Sequence, residues 1–122
     1  MSDIQAHHLA LLARDVDRLA RFYRDVLGLE AIEAPRPGVA WFRLGTTLLM
    51  IEPGDPSEPS NAAPGAGFHL LALTMSPDQR ADWQERLAAH GVAITHHTDY
   101  SLYFRDPEGN RLALSHYPAR DR

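Results

Sequence analysis

Apolar and polar positions change rhythm twice along this chain, in the same order each time. Residues 7–13 are almost wholly apolar after two histidines, His7 and His8, and predict a buried strand. Asp15 is placed to cap a helix. From Val16 the period lengthens: Val16, Leu19, Ala20, Tyr23, Val26 and Leu27 share one helical face, and Asp17, Arg18, Arg21, Arg24 and Asp25 lie mostly on the other. Gly28 suits the left-handed position that ends a helix. Leu29 to Glu33 predicts a short strand, and Pro35 to Gly38 a turn. Val39 to Leu44 and Thr47 to Glu52 predict a hairpin around Gly45-Thr46.

Residues 53–67 hold four prolines and three glycines, the composition of a linker. Phe68 to Met75 is apolar again. Ser76-Pro77-Asp78-Gln79 has the pattern of a capped helix start, with proline in the first turn and a glutamine able to return the capping bond. The helix carries Ala81, Trp83, Leu87 and Ala88 and stops at His90-Gly91. Val92 to His97 predicts a strand. Ser101 to Arg105 and Arg111 to His116 predict a hairpin around Asp106-Pro107-Glu108-Gly109-Asn110, and the polar tail from Pro118 is expected to fray.

Strand, helix and three strands thus occur twice. At an offset of 61 residues His8 falls on His69, Asp17 on Asp78 and Phe22 on Trp83. Phe42-Arg43 meets Phe104-Arg105 at 62, and Leu48-Leu49-Met50 meets Leu112-Ala113-Leu114 at 64. Each half has one helix for one sheet, so one sheet face is left uncovered. Paired about a pseudo-twofold, two such sheets would curve around a shared cleft, a normal place for a small-molecule site.

Composition narrows the function. The net charge is −4 with no block of Lys or Arg, so nucleic-acid binding has no electrostatic support. There is no cysteine, hence no disulfide or thiolate metal site. No apolar run reaches the roughly 18 residues of a membrane span, and residues 1–6 do not read as a signal peptide. A soluble cytoplasmic protein is the expectation. Seven histidines keep metal and acid–base chemistry open.

Three segments carry a family resemblance: His8-Leu9-Ala10-Leu11-Leu12-Ala13-Arg14-Asp15 with Ala20 to Leu29, then Gly67 to Leu73, then Tyr103 to Leu112. Over residues 7–117 the chain resembles the vicinal oxygen chelate superfamily of glyoxalases, bleomycin-resistance proteins and extradiol dioxygenases. The resemblance implies an α+β fold of two βαβββ modules forming a cupped mixed sheet. The whole would be a single domain, 1–122, with module one at 7–52, a linker at 53–66 and module two at 67–117. A homodimer is also implied, because relatives cover sheet edges and apolar surface with a second chain.

In metal-using members two positions from each module hold a divalent ion. Carried over, the first-strand positions are His8 and His69, and both match. The last-strand positions are Leu49 and Ala113, where many relatives have glutamate, and neither matches. Leucine and alanine have no lone pair to offer, and the carboxylate that would serve as general base is missing. The resemblance therefore allows a divalent metal (Zn, Ni, Mn or Fe) and equally allows none. Two functions follow: a metal-dependent lyase, isomerase or dioxygenase with an incomplete ligand set, or a metal-free protein that sequesters a small compound.

Among the remaining residues, Glu52 and His116 lie three positions beyond the absent ligands and are expected on the opposite face. His97 reads as a solvated strand end and His90 as a helix C-terminal residue suited to the dipole. His7 should point away from His8. Trp41 with Arg43, and Tyr103 with Arg105, share faces and are candidates to hold a planar anion beside Leu49 and Ala113. The turn at 106–110 reads as structural.

Overall fold

The computed structural model describes residues 4–55 and 69–119. The expected linker therefore lies, from residue 56 onward, outside the described residues, as do Gly67, Phe68 and the tail beyond residue 119. The chain divides into two compact units, 1–59 and 60–122. Each unit contains one four-stranded mixed sheet, the α+β arrangement of two βαβββ modules.

In the first unit, β1 (His8–Ala13) leads to α1 (Val16–Arg21), a π-helical turn (Phe22–Val26), then β2 (Glu30–Ile32), β3 (Ala40–Leu44) and β4 (Thr47–Pro53). Asp15 starts the helix as expected, its Oδ1 accepting the Arg18 N–H at 3.0 Å. At the far end the wider turn appears as Leu27 N–H donating to the Phe22 carbonyl. Gly28, at φ 76°, then reverses the chain, and Leu29 N–H donates to the Tyr23 carbonyl at 3.0 Å. The sheet order is β1-β4-β3-β2, with β1 parallel to β4 and the other pairs antiparallel.

Helix α1 packs on β1, β3 and β4. Leu19, Tyr23, Leu49 and Ile51 are fully buried, and the Tyr23 and Phe42 rings lie 6.4 Å apart. Leu49 pairs with Phe42 across β3 and β4, so both side chains point to the helix side. Burial of a leucine of this kind contributes roughly 1.5–3 kcal/mol.

The second unit repeats the plan: β5 (Leu71–Thr74), a 3-10 turn (Pro77–Gln79), α2 (Arg80–Ala89), β6 (His96–His97), β7 (Ser101–Arg105) and β8 (Arg111–Ser115), in sheet order β5-β8-β7-β6. The capping box is present, with Ser76 N–H donating to Gln79 Oε1 at 2.8 Å. Leu87, Leu102, Phe104, Leu112, Leu114 and Met75 form the core. β6 is shorter than the strand expected over 92–97. Its ladder pairs only His96 with Tyr103 and His97 with Leu102, while Val92 N–H is taken by the Leu87 carbonyl at the helix end.

The registers set the true repeat. Ala10 pairs with Met50 in the first sheet and Ala72 with Ala113 in the second. The first strands therefore repeat at an offset of 62, matching Leu9-Ala10-Leu11 to Leu71-Ala72-Leu73. The last strands repeat at 63, matching Met50 to Ala113. The expected offsets of 61 and 64 were each one residue out. His8 corresponds to Leu70, and His69 precedes the strand. Among the described residues no helix is long and apolar enough to cross a membrane.

Candidate functional site

The sheet face of the first unit turned away from α1 carries His8, Ala10 and Leu12 from β1, Leu48, Met50 and Glu52 from β4, and Trp41 and Arg43 from β3. Leu49 is absent from this face, and Met50 takes the position assigned to it from sequence. The correction follows from alternation: Leu49 and Ile51 both pack under α1, so the residue between them points the other way. Glu52, expected to point away from the ligand positions, instead shares the His8 face, because it is Leu49 that lies on the other side, under α1. It stands four residues along β4 from the rung of His8, roughly 13 Å at strand rise, too far to join it on one ion.

His8 is exposed, and its Nδ1 lies 2.9 Å from Nδ1 of His7, with the rings edge to face. His7 precedes β1, so strand alternation does not govern it, and its ring meets that of His8. Arg43 Nε lies 3.3 Å from Glu30 Oε1. Its charge is thus already met by a carboxylate on the neighbouring strand.

In the second unit the corresponding face carries Ala72, Arg111, Ala113, Ser115, Tyr103, Ser101 and His96. Tyr103 and Ala113 are here as expected. Arg105 is spent on the hairpin turn, where its Nη1 donates to the Gly109 carbonyl at 2.8 Å. The arginine that joins Tyr103 is Arg111, with Cζ 4.6 Å above the ring centroid. Arg111 Nη1 also lies 2.7 Å from His69 Nε2. A guanidinium can only donate, so Nε2 is the acceptor and the His69 proton sits on Nδ1. The His96 ring stacks at 5.6 Å from Tyr103.

Neither Arg111 nor Met50 was singled out in the sequence. The signal that would have found them is the shared Leu-Ala-Leu triplet, which aligns the first strands one residue away from the histidine match.

His97 pairs with Leu102 and is exposed, a solvated strand end. His116 is 5% exposed, its Nδ1 donating to the Ala119 carbonyl and its ring against Tyr100. It follows the end of β8, so the strand alternation expected for it does not apply. The 106–110 turn is built around Asp106, whose Oδ1 accepts N–H bonds from Glu108 and Asn110.

The donor set can be tested against a divalent ion. Among the described residues no three His, Asp or Glu side chains gather as a metal site. Met50 offers a thioether and Ala113 nothing, and hard divalent ions prefer oxygen and imidazole. The Nε2 lone pair of His69 is engaged by a cation, whose charge would oppose an incoming metal. These residues do not fit the four-position centre of metal-using relatives.

Residues 5–114 match the model of the Glyoxalase/Bleomycin resistance protein/Dioxygenase superfamily. With two βαβββ units, the chain belongs to that superfamily. It is 25% identical over 118 residues to a catechol-2,3-dioxygenase of Bacillus subtilis, covering 92% of this chain and 41% of that one. It thus spans about two fifths of that relative's length.

Among solved structures, a lactoylglutathione lyase from Agrobacterium tumefaciens superposes with a TM-score of 0.68 at 24% identity, covering 91% of this chain and 92% of that one. A fosfomycin resistance protein, FosX, from Listeria monocytogenes, complexed with Mn(II) and a dihydroxypropylphosphonic acid, superposes with a TM-score of 0.73 at 18% identity, covering 94% and 90%. At these identities the superpositions speak for the fold alone.

Proposed function

We propose that this chain is a binding member of the superfamily, which holds a small organic molecule on a sheet face turned away from its helix, without the four-position metal centre. The observation that carries this reading is that Met50 and Ala113, which sit opposite Trp41 and Tyr103 in the two ladders, offer no carboxylate. Apolar and aromatic side chains on the same faces (exposed Ala10, Leu12 and Ala72, half-buried Trp41 and Tyr103) suit contact with an apolar or planar compound. The protein would act in the cytoplasm as a homodimer, a state that light scattering after size exclusion reads directly.

The test is elemental analysis of tag-free protein, followed by titration with Zn²⁺, Ni²⁺, Mn²⁺ and Fe²⁺ and a thermal-shift screen of small aromatic compounds. Metal far below one equivalent, with stabilisation by an organic ligand, is the expected result. Stoichiometric metal that disappears in His8→Ala/His69→Ala would overturn it. That outcome would establish the second reading, a metal-dependent lyase or dioxygenase. It is favoured by the exposed His8 on the first strand and by the Mn(II) bound to the fosfomycin resistance relative.

A further inference from the structure

Arg111 is a cation on the sheet face that carries Tyr103 and Ala113. It is half-buried, and partial desolvation raises the cost of leaving a charge unmatched. Yet its partners are an aromatic face and an imidazole nitrogen: Tyr103 at 4.6 Å and His69 Nε2 at 2.7 Å. Among the described residues no carboxylate pairs with it. Arg14, Arg24 and Arg43 are different, each bonded to or beside an acidic group: Asp55, Asp25 and Glu30.

The two contacts also fix the guanidinium. Its Cζ lies over the Tyr103 ring, and the bond to His69 takes one N–H of Nη1. The remaining N–H groups of the planar guanidinium form the fork that matches the two oxygens of a carboxylate. The Tyr103 ring lies beside Arg111, and the His96 ring stands 5.6 Å from that of Tyr103, tilted by 37°. Ala72, on the same rung as Ala113 and Tyr103, adds no bulk.

We infer that Arg111 is the anion anchor of the site proposed above, and that the ligand class is a small aromatic carboxylate. The carboxylate is held bidentately by the free guanidinium edge and the ring lies against Tyr103 and His96. His69 is a positioning residue, holding the arginine through Nη1 rather than touching the ligand. This inference rests on the metal-free reading of the same face.

The experiment is a ¹H–¹⁵N NMR titration of the full chain with benzoate and with benzamide, its uncharged isostere. Benzoate is expected to saturate at about tenfold lower concentration than benzamide, the size of a charge-assisted pair, and to shift the Tyr103, His96 and Arg111 resonances. Arg111→Met keeps the stem and should abolish the preference. Arg111→Lys keeps the charge without the fork and should retain only part of it, and it carries the test if the methionine variant unfolds. Equal binding of the two probes, a preference that survives in Arg111→Met, or no binding of benzoate would each overturn the inference. Equal binding would leave the metal-free reading standing. Only the metal titration described above bears on that reading.

Discussion

Trp41 sits directly opposite Met50 in the β3–β4 ladder, as Tyr103 sits opposite Ala113 in β7–β8. This equivalence shifts the candidate site by one residue along β4. It moves Leu49 from the site into the core and brings Met50 to the face that carries His8. A one-residue slip in a strand reverses every side chain, so the identity of the site depends on this rung.

Two glutamate substitutions separate the faces. Leu49→Glu puts a carboxylate into a fully buried position beneath α1 and should cost at least about 3 kcal/mol, enough to unfold a marginal domain. Met50→Glu places the same group on the other sheet face, at a position 9% exposed rather than wholly enclosed, and should cost about 1 kcal/mol less than Leu49→Glu. Urea denaturation of both variants checks this. Equal loss of stability would refute the assignment of faces.

Met50→Glu should also create a metal site. The new carboxylate would stand on the strand next to that of His8, two residues beyond its rung, within reach for long side chains. An imidazole and a carboxylate should bind Zn²⁺ or Mn²⁺ at least about tenfold more tightly than wild type. Isothermal titration measures the gain, and adding His8→Ala should remove it. Leu49→Glu should show no comparable gain.

Most of the fold was legible in the sequence because strand and helix periods alternate cleanly and the caps at Asp15 and Ser76 are explicit. The register was not. Matching His8 to His69 used the most conspicuous residue type, but ladders are set by which apolar residues pack under the helix. The Leu9-Ala10-Leu11 and Leu71-Ala72-Leu73 pairing satisfies that packing, and the histidine match does not. Arg111 was hidden for a related reason. It sits diagonally across the ladder from Tyr103, a closeness that face alternation along one strand does not reveal.

The capping box offers a local test of the second unit. Gln79 Oε1 accepts the Ser76 N–H at 2.8 Å, satisfying a donor at the start of the 3-10 turn that leads into α2. Gln79→Ala leaves that donor to water and should lower stability by roughly 0.5–1 kcal/mol. Gln79→Glu preserves an acceptor beside the helix N-terminus and should lose less than half of that. Thermal unfolding of the two variants gives the comparison.

Asp106 should matter more, although it takes no part in the proposed chemistry. Its side chain is 5% exposed. Oδ1 accepts from Glu108 N–H at 3.0 Å and Asn110 N–H at 2.9 Å, and Oδ2 from Asn110 Nδ2 at 2.8 Å. These bonds close the β7–β8 turn, and β8 carries both Arg111 and Ala113. Asp106→Ala leaves two backbone donors and one amide without this acceptor and should cost about 2–3 kcal/mol. Asp106→Asn keeps one acceptor oxygen and should cost about half as much, because its amide cannot accept from Asn110 Nδ2. Benzoate binding per folded molecule should also fall in Asp106→Ala, since Arg111 begins the strand that this turn delivers. A stability loss in Asp106→Ala below about 0.5 kcal/mol would show that the turn does not depend on its aspartate.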